Sequence, residues 1–426
     1  MKIVDLRNQN WQDNQELKYL QSRGDLQYEA FENSVKEIIK SVLQKGDEAL
    51  FELSLNYDGI DLREIGIEVS KDELKKAYEE MPDDIKNALE LSARRIRAFH
   101  EFELERGFFY QEGGVLCGVK VLPLSRVGVY VPGGKNPYPS SVLMNVLPAK
   151  VAGVKEIVLC CPKAHKSVLA ACYVANVDRV FRIGGAQAIA AMAFGTKSVP
   201  KVDKIVGPGN VFVSLAKRML FGTVDIDMIA GPSEILILAD ESANPLWCAW
   251  DLLSQAEHDE LSASILITTS EDLAREVFNY LSSSYLQLPR YEVLKKSVEN
   301  WCYAFIVKDL MQACEVANFI APEHLQIATE RPLEVFENIK NAGAVFLGHY
   351  TAETLGDYLV GPSHTLPTGA SARFFSALGV YDFLKRITFM HVSEEGFRDL
   401  SQHAIALAKL EGLDAHRTAI EVRCKP

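Results

Sequence analysis

Short apolar runs alternate with helical stretches along most of this chain, and that alternation restricts the fold more than any other feature. Residues 127–131 form a strand pattern halted by Pro132, Gly133 and Gly134. A helix is predicted over 141–152, a strand over 156–161, a helix over 167–175, a strand over 179–183 and, past a Gly-Gly turn, a helix over 186–194. Residues 204–206 lead into Gly207-Pro208-Gly209-Asn210 and another helix, and 235–238 closes the series. A second series opens after Asn244 with a helix reaching His258. It continues with strands over 263–268, 303–307 and 344–347, separated by helices. Such strands pair in parallel, because each crossover helix returns the chain to the edge it left. The expected fold class is α/β, with two αβα sandwich domains. Residues 31–57 and 71–102 carry apolar residues at helical spacing, and beyond Ala377 the chain reads as charged helix, with a tail over 394–419. The two strand series do not align as a repeat.

Three of the strands end in glycine turns: Pro132-Gly133-Gly134, Gly184-Gly185-Ala186-Gln187 and Gly207-Pro208-Gly209-Asn210. At the carboxyl ends of parallel strands, glycine lets a backbone approach a phosphate, and a following helix offers its first amides to an anion. None of the three is GxGxxG, so they are either tight turns or an unorthodox dinucleotide site.

With 426 residues the chain is long enough for two or more domains. A net charge of −12 spread along the sequence argues against nucleic acid as a partner. The longest uncharged runs, 136–149 and 183–196, fall short of the roughly 20 residues that a membrane span needs. Eight cysteines without a CxxC pair, and a start that breaks any apolar run at once, point to the cytoplasm and reduced thiols.

A second set of residues carries metal and proton chemistry. Gln255 and His258 are spaced i, i+3 at the end of a predicted helix and could share one face as ligands, or be ordinary polar residues. Ala321-Pro322-Glu323-His324 reads as a helix start, where a carboxylate and an imidazole could serve one cavity or simply suit the helix dipole. Asp357 and His364 lie in a turn-rich stretch after the strand at 344–347, where a parallel sheet places functional side chains; a ligand and a turn-former are both open for Asp357. Glu411 and His416 sit in a short tail that can be functional only by docking on another domain or subunit.

Taken together, these motifs resemble the histidinol dehydrogenase family over essentially the full length. The resemblance rests on residues 127–134, on Gly184-Gly185-Ala186-Gln187-Ala188-Ile189-Ala190, and on 202–210 with its Gly207-Pro208-Gly209-Asn210. It rests most on Ile226-Asp227-Met228-Ile229-Ala230-Gly231-Pro232-Ser233-Glu234, followed by Ser254-Gln255-Ala256-Glu257-His258. Pro322-Glu323-His324-Leu325 and Leu355-Gly356-Asp357-Tyr358 complete it. Lys135, Asn136, Pro137, Tyr138 and His349 look particular to this chain.

The resemblance implies zinc, one per subunit, held by Gln255, His258, Asp357 and His416. It implies Glu323 and His324 as the catalytic acid/base pair. Ser233, His364 and Glu411 would contact L-histidinol together with the ligands and that pair, and Tyr130, Gln187 and Asn210 would line an NAD site. The implied reaction is the four-electron oxidation of L-histidinol to L-histidine through L-histidinal, the last step of histidine biosynthesis. The implied assembly is a homodimer in which Glu411 and His416 reach the partner's site. The implied domains are an extension over 1–22, a discontinuous domain of 23–126 with 235–378, an inserted domain over 127–234 and a helical tail over 379–426, with both sandwiches of incomplete Rossmann type. A zinc hydrolase and a metal-binding interaction protein are the rival readings of the same residues.

Overall fold

The computed structural model describes residues 1–22, 29–133 and 137–424. Contacts divide them into two units, one of 1–103 with 124–383 and one of 104–123 with 384–424.

The larger unit holds two six-stranded sheets. In the first, the order is Lys2–Asp5, Cys302–Ile306, Ala263–Thr268, Glu234–Ala239, His324–Ala328 and Ala344–Leu347, all parallel. Both faces are covered, which is why its central strands read as unbroken apolar runs. Ile235, Ile237 and Leu266 point to one face, against the helices Pro245–Ala256, Glu271–Ser284 and Tyr291–Trp301. Leu236, Leu238, Ile265 and Ile267 point to the other, against Gln15–Gln21 and Leu310–Ile320. Each of these fully buried side chains contributes about 1.5–3 kcal/mol relative to exposure.

The second sheet runs Glu68–Val69, Arg179–Phe181, Glu156–Cys160, Arg126–Tyr130, Lys204–Val206 and Asp225–Ile226, parallel except for the first strand. Helices Glu29–Lys45 and Asp47–Asp58 pack on it through Val35, Ile38, Val42 and Leu50, beside Gly185–Phe194 and Val211–Leu220. In each sheet the strand order reverses at one place. In the first this lies between Glu234–Ala239 and His324–Ala328, and in the second between Arg126–Tyr130 and Lys204–Val206. The architecture is the α/β fold expected, with two parallel sheets under helices.

In the smaller unit, Phe108–Glu112, Val115–Pro123 and Leu384–Val392 form an antiparallel sheet, followed by the helices Glu394–Leu410 and Asp414–Glu421. The charged helix expected beyond Ala377 therefore begins only at Glu394. Residues 384–392 are a strand instead, extended by nine consecutive pairings with 115–123. No helix among the described residues is long and apolar enough to cross a membrane.

Candidate active site

Helix Leu310–Ile320 ends at Ala321, whose φ of 54° lies in the left-handed region and whose N–H donates to the Ala317 carbonyl. Pro322 has no N–H to continue a helix, so the chain leaves it and enters the central strand His324–Ala328. The helix start expected at 321–326 is thus a strand start: Pro322 marks the end of one helix, not the first turn of another. Glu323 and His324 consequently sit at the amino end of the first sheet, beside Glu234 on the neighbouring strand.

Both residues are buried, 6% and 4% exposed. Glu323 Oε2 accepts the Glu234 N–H at 2.9 Å and lies 3.7 Å from His324 Nδ1. Burial pushes the Glu323 pKa well above the usual carboxylate range; the Glu234 N–H opposes that rise, and the carboxylates of Glu234, Asp357 and Glu353 add to it. His324 Nδ1 is 3.0 Å from the Glu234 carbonyl oxygen, which can only accept, so Nδ1 carries the proton and Nε2 the lone pair. Burial lowers the His324 pKa and keeps the ring neutral, although Asp357 pulls the other way. The geometry therefore presents a bare imidazole nitrogen, and no described residue donates to it.

That nitrogen faces two carboxylates on the short helix Glu353–Tyr358, with Glu353 Oε1 at 3.6 Å and Asp357 Oδ1 at 3.9 Å. The stretch around Asp357 is therefore helix rather than turn. It serves the amino end of the sheet rather than the carboxyl end, because its partner His324 opens its strand. Glu353 Oε2 accepts from Ser254 Oγ at 3.2 Å. Its pKa is raised by burial and then by Asp357 beside it. Gln255 is buried in the last turn of Pro245–Ala256, while His258 lies in the turn beyond, its N–H donating to the Gln255 carbonyl at 3.2 Å. The two thus meet through a helix-terminal turn instead of one helical face. His258 keeps an exposed edge, yet the surrounding protein removes enough water to lower its pKa, with Asp357 opposing. His364 Nδ1 is 3.0 Å from the Asp357 carbonyl oxygen, and its Nε2 is 3.2 Å from Ser141 Oγ, in the first turn of Pro139–Ala152. Ser233 immediately precedes Glu234, and its carbonyl accepts the Ala263 N–H.

Whether these residues fit a metal can be judged from their donor atoms. His324, Glu353 and Asp357 offer ligand atoms within 4.8 Å of one another. Gln255 Oε1, His324 Nε2 and Glu353 Oε1 are buried without a hydrogen-bond partner among the described residues. Buried acceptors are rarely left so, and two of these, His324 Nε2 and Glu353 Oε1, lie with the Asp357 carboxylate in a group that could hold a cation. Zinc with ligands at about 2.0–2.2 Å spaces them roughly 3.4 Å apart, close to the separations around His324 Nε2, and N/O donors suit it. The set fits a borderline divalent ion.

The other predicted residues gather at the carboxyl ends of the second sheet. Tyr130 closes its strand, and its hydroxyl accepts the Gly185 N–H at 3.1 Å. Gln187 is buried in the first turn of Gly185–Phe194. Asn210 caps Val211–Leu220, its Oδ1 accepting the N–H groups of Phe212 and Val213. Amides expected to face an anion are thus taken by side chains at both helix starts. Gly134, Lys135 and Asn136 lie outside the described residues. Glu411 follows Glu394–Leu410 and His416 lies on Asp414–Glu421; both are exposed and belong to the smaller unit.

Comparison with known proteins gives the family. Residues 21–424 match the family described as Histidinol dehydrogenase. The chain belongs to the histidinol dehydrogenase family. Histidinol dehydrogenase from Aquifex aeolicus is 56% identical over 423 residues, 99% of each chain, and that of Syntrophotalea carbinolica is 48% identical over 95% of each. A crystal structure of histidinol dehydrogenase from Elizabethkingia anophelis superposes with a TM-score of 0.93 at 34% identity, over 100% of this chain and 98% of that one.

Against this family background, two residues stand out that the sequence did not bring forward. Glu353 enters the same cluster as Asp357 four residues on, an i, i+4 spacing that points to a shared helical face. Ser141 reaches His364 from 223 positions away, which no local pattern encodes.

Proposed function

We propose that this protein oxidises L-histidinol to L-histidine through L-histidinal, with NAD as acceptor and one zinc ion per subunit, as the last step of histidine biosynthesis. The observation that carries the reading is His324 Nε2, buried and unpartnered among the described residues, on a neutral ring whose Nδ1 lies 3.7 Å from the Glu323 carboxyl, and facing the carboxylates of Glu353 and Asp357. In the first step the alcohol loses a proton and a hydride, giving aldehyde, NADH and one proton. In the second, aldehyde, water and NAD give carboxylate, NADH and two protons.

Gln255, His258 and Asp357, completed by His416 from a second copy of the chain, would hold the metal. Zinc, when bound, would supply a Lewis acid that orients and polarises the amino alcohol. His324 Nε2 takes the hydroxyl proton, while Nδ1, held on the Glu234 carbonyl, fixes the ring. Glu323 takes a proton from water as it attacks the aldehyde carbon; burial raises its pKa, which makes it a stronger base than a solvated carboxylate, and a bound cation would oppose that rise. Ser233, His364 and Glu411 would grip the substrate, and Tyr130, Gln187 and Asn210 would line the nucleotide crevice. Sharing of Glu411 and His416 between subunits makes a homodimer the working unit. All eight cysteines are unpaired, which supports a reducing, cytoplasmic setting.

The test is to count NADH formed per histidinol consumed, before and after a chelator. Two NADH per substrate, lost on chelation and restored by zinc, is the expected result. One NADH per substrate, or turnover indifferent to the chelator, would overturn the reading.

A further inference from the structure

Lys217 on the helix Val211–Leu220 and Asp227, just past the strand Asp225–Ile226, form an ion pair whose side chains are 2% and 1% exposed. Removing two charges from water is strongly unfavourable unless their remaining donors and acceptors are also met. Here the main chain of one residue, Gly207, meets most of them. Asp227 Oδ2 accepts the Gly207 N–H at 2.7 Å, Lys217 Nζ donates to the Gly207 carbonyl at 3.0 Å, and Asp227 Oδ1 accepts the Met228 N–H at 2.7 Å.

Gly207 has a φ of 111°, and a Cβ built on it would run into the main chain of Tyr130. The two strands that flank the reversal of the second sheet therefore touch backbone to backbone at their carboxyl ends. That is where open α/β sheets bind ligands. Tyr130 stands on one side of the contact, and Asn210 opens a helix three residues beyond it on the other.

We infer that the Lys217–Asp227 pair positions the cofactor crevice, by clamping the N–H and the carbonyl of Gly207, one in each of the peptide groups that flank it, so that Tyr130 and Asn210 are held ready for one nucleotide. The inference rests on the NAD reading above and extends it to two residues that touch no substrate. A buried pair serving stability alone would act on the whole fold. A positioning pair acts on one ligand.

Three variants separate these roles: Asp227→Asn, Lys217→Met, and Lys217→Met with Asp227→Leu, which replaces the pair by apolar groups of similar volume. The KM for NAD should rise tenfold or more in each folded variant. The KM for histidinol and the rate at saturating NAD should stay within about twofold. The double variant leaves no lone charge buried and should melt above either single variant, though below the parental protein because the Gly207 and Met228 main-chain groups lose their partners. A folded double variant with an unchanged KM for NAD would overturn the clamp.

Hydrogen exchange on the unmodified protein supplies a readout that needs no variant. The Gly207 amide should be strongly protected without NAD and no slower with it, whereas fast exchange that NAD slows would contradict a preformed clamp. Parental protein that reduces no NAD at all would sink the NAD reading and this inference together. Parental turnover with indifferent variants sinks the inference alone.

Discussion

Replacing Glu323 by glutamine should divide the two oxidations. The residue is 6% exposed and its side chain accepts one backbone N–H at 2.9 Å, which an amide oxygen of the same length can also accept. Because burial already favours the neutral carboxylic acid, the neutral amide resembles the resting form, and stability should change by less than about 1 kcal/mol. What the amide cannot do is take a proton from water. Loss of a positioned general base removes roughly 10²–10⁴-fold in rate, or about 2.7–5.4 kcal/mol at 1.36 kcal/mol per decade. The loss should fall on the conversion of histidinal to histidine with NAD. His324, whose Nε2 is the base for the first step, keeps the bond from Nδ1 to the Glu234 carbonyl that fixes its ring, so the reduction of histidinal to histidinol by NADH should stay within about fivefold. Stopped-flow absorbance of NADH with histidinal as the common substrate reads both directions. Equal losses in the two directions, with an intact fold, would refute the division of labour between Glu323 and His324.

Glu353→Ala should weaken zinc binding by about 10–100-fold in a chelator competition, since its carboxyl lies against Asp357 and 3.6 Å from His324; Glu353→Gln should recover most of it, and wild-type affinity in the alanine variant would remove Glu353 from the site. His416→Asn should release zinc on dialysis, and mixing it with Glu323→Gln protein should restore activity up to about a quarter of normal after subunit exchange. No recovery despite proven exchange would place the tail in its own subunit's site. Ser141→Ala frees His364 Nε2 at a cost of about 1 kcal/mol, so the KM for histidinol should shift about fivefold while the KM for NAD does not; equal shifts in both would contradict a role through His364.

How much of this could be read from the chain depended on what each segment buries. The central strands were plain because both faces are covered, so residues 235–239 are apolar throughout and 263–268 nearly so, both fully buried. The edge strand Lys2–Asp5 and the exposed strand Leu384–Val392 carry no such run; pairing, not burial, defines them. Pro322 misled because proline suits both a helix start and the residue after a helix end, and only the left-handed Ala321 decides between them. Glu323, His324 and Asp357 were visible as candidate residue types, yet the approach of His324 to Glu353 and Asp357 at the amino edge of the first sheet was not. It depends on the helix Glu353–Tyr358, which Gly356 disguised as a turn, and on contacts across more than two hundred residues.

The central claim is that one divalent ion lies among Gln255, His258 and Asp357, beside the bare nitrogen of His324. Crystals grown with zinc, with diffraction recorded on both sides of the zinc absorption edge, test it most directly. One strong anomalous peak per subunit is expected, about 2.0–2.3 Å from donor atoms of these three residues and completed by His416 of a second chain. A peak elsewhere, or none at this cluster in zinc-replete protein, would contradict the account.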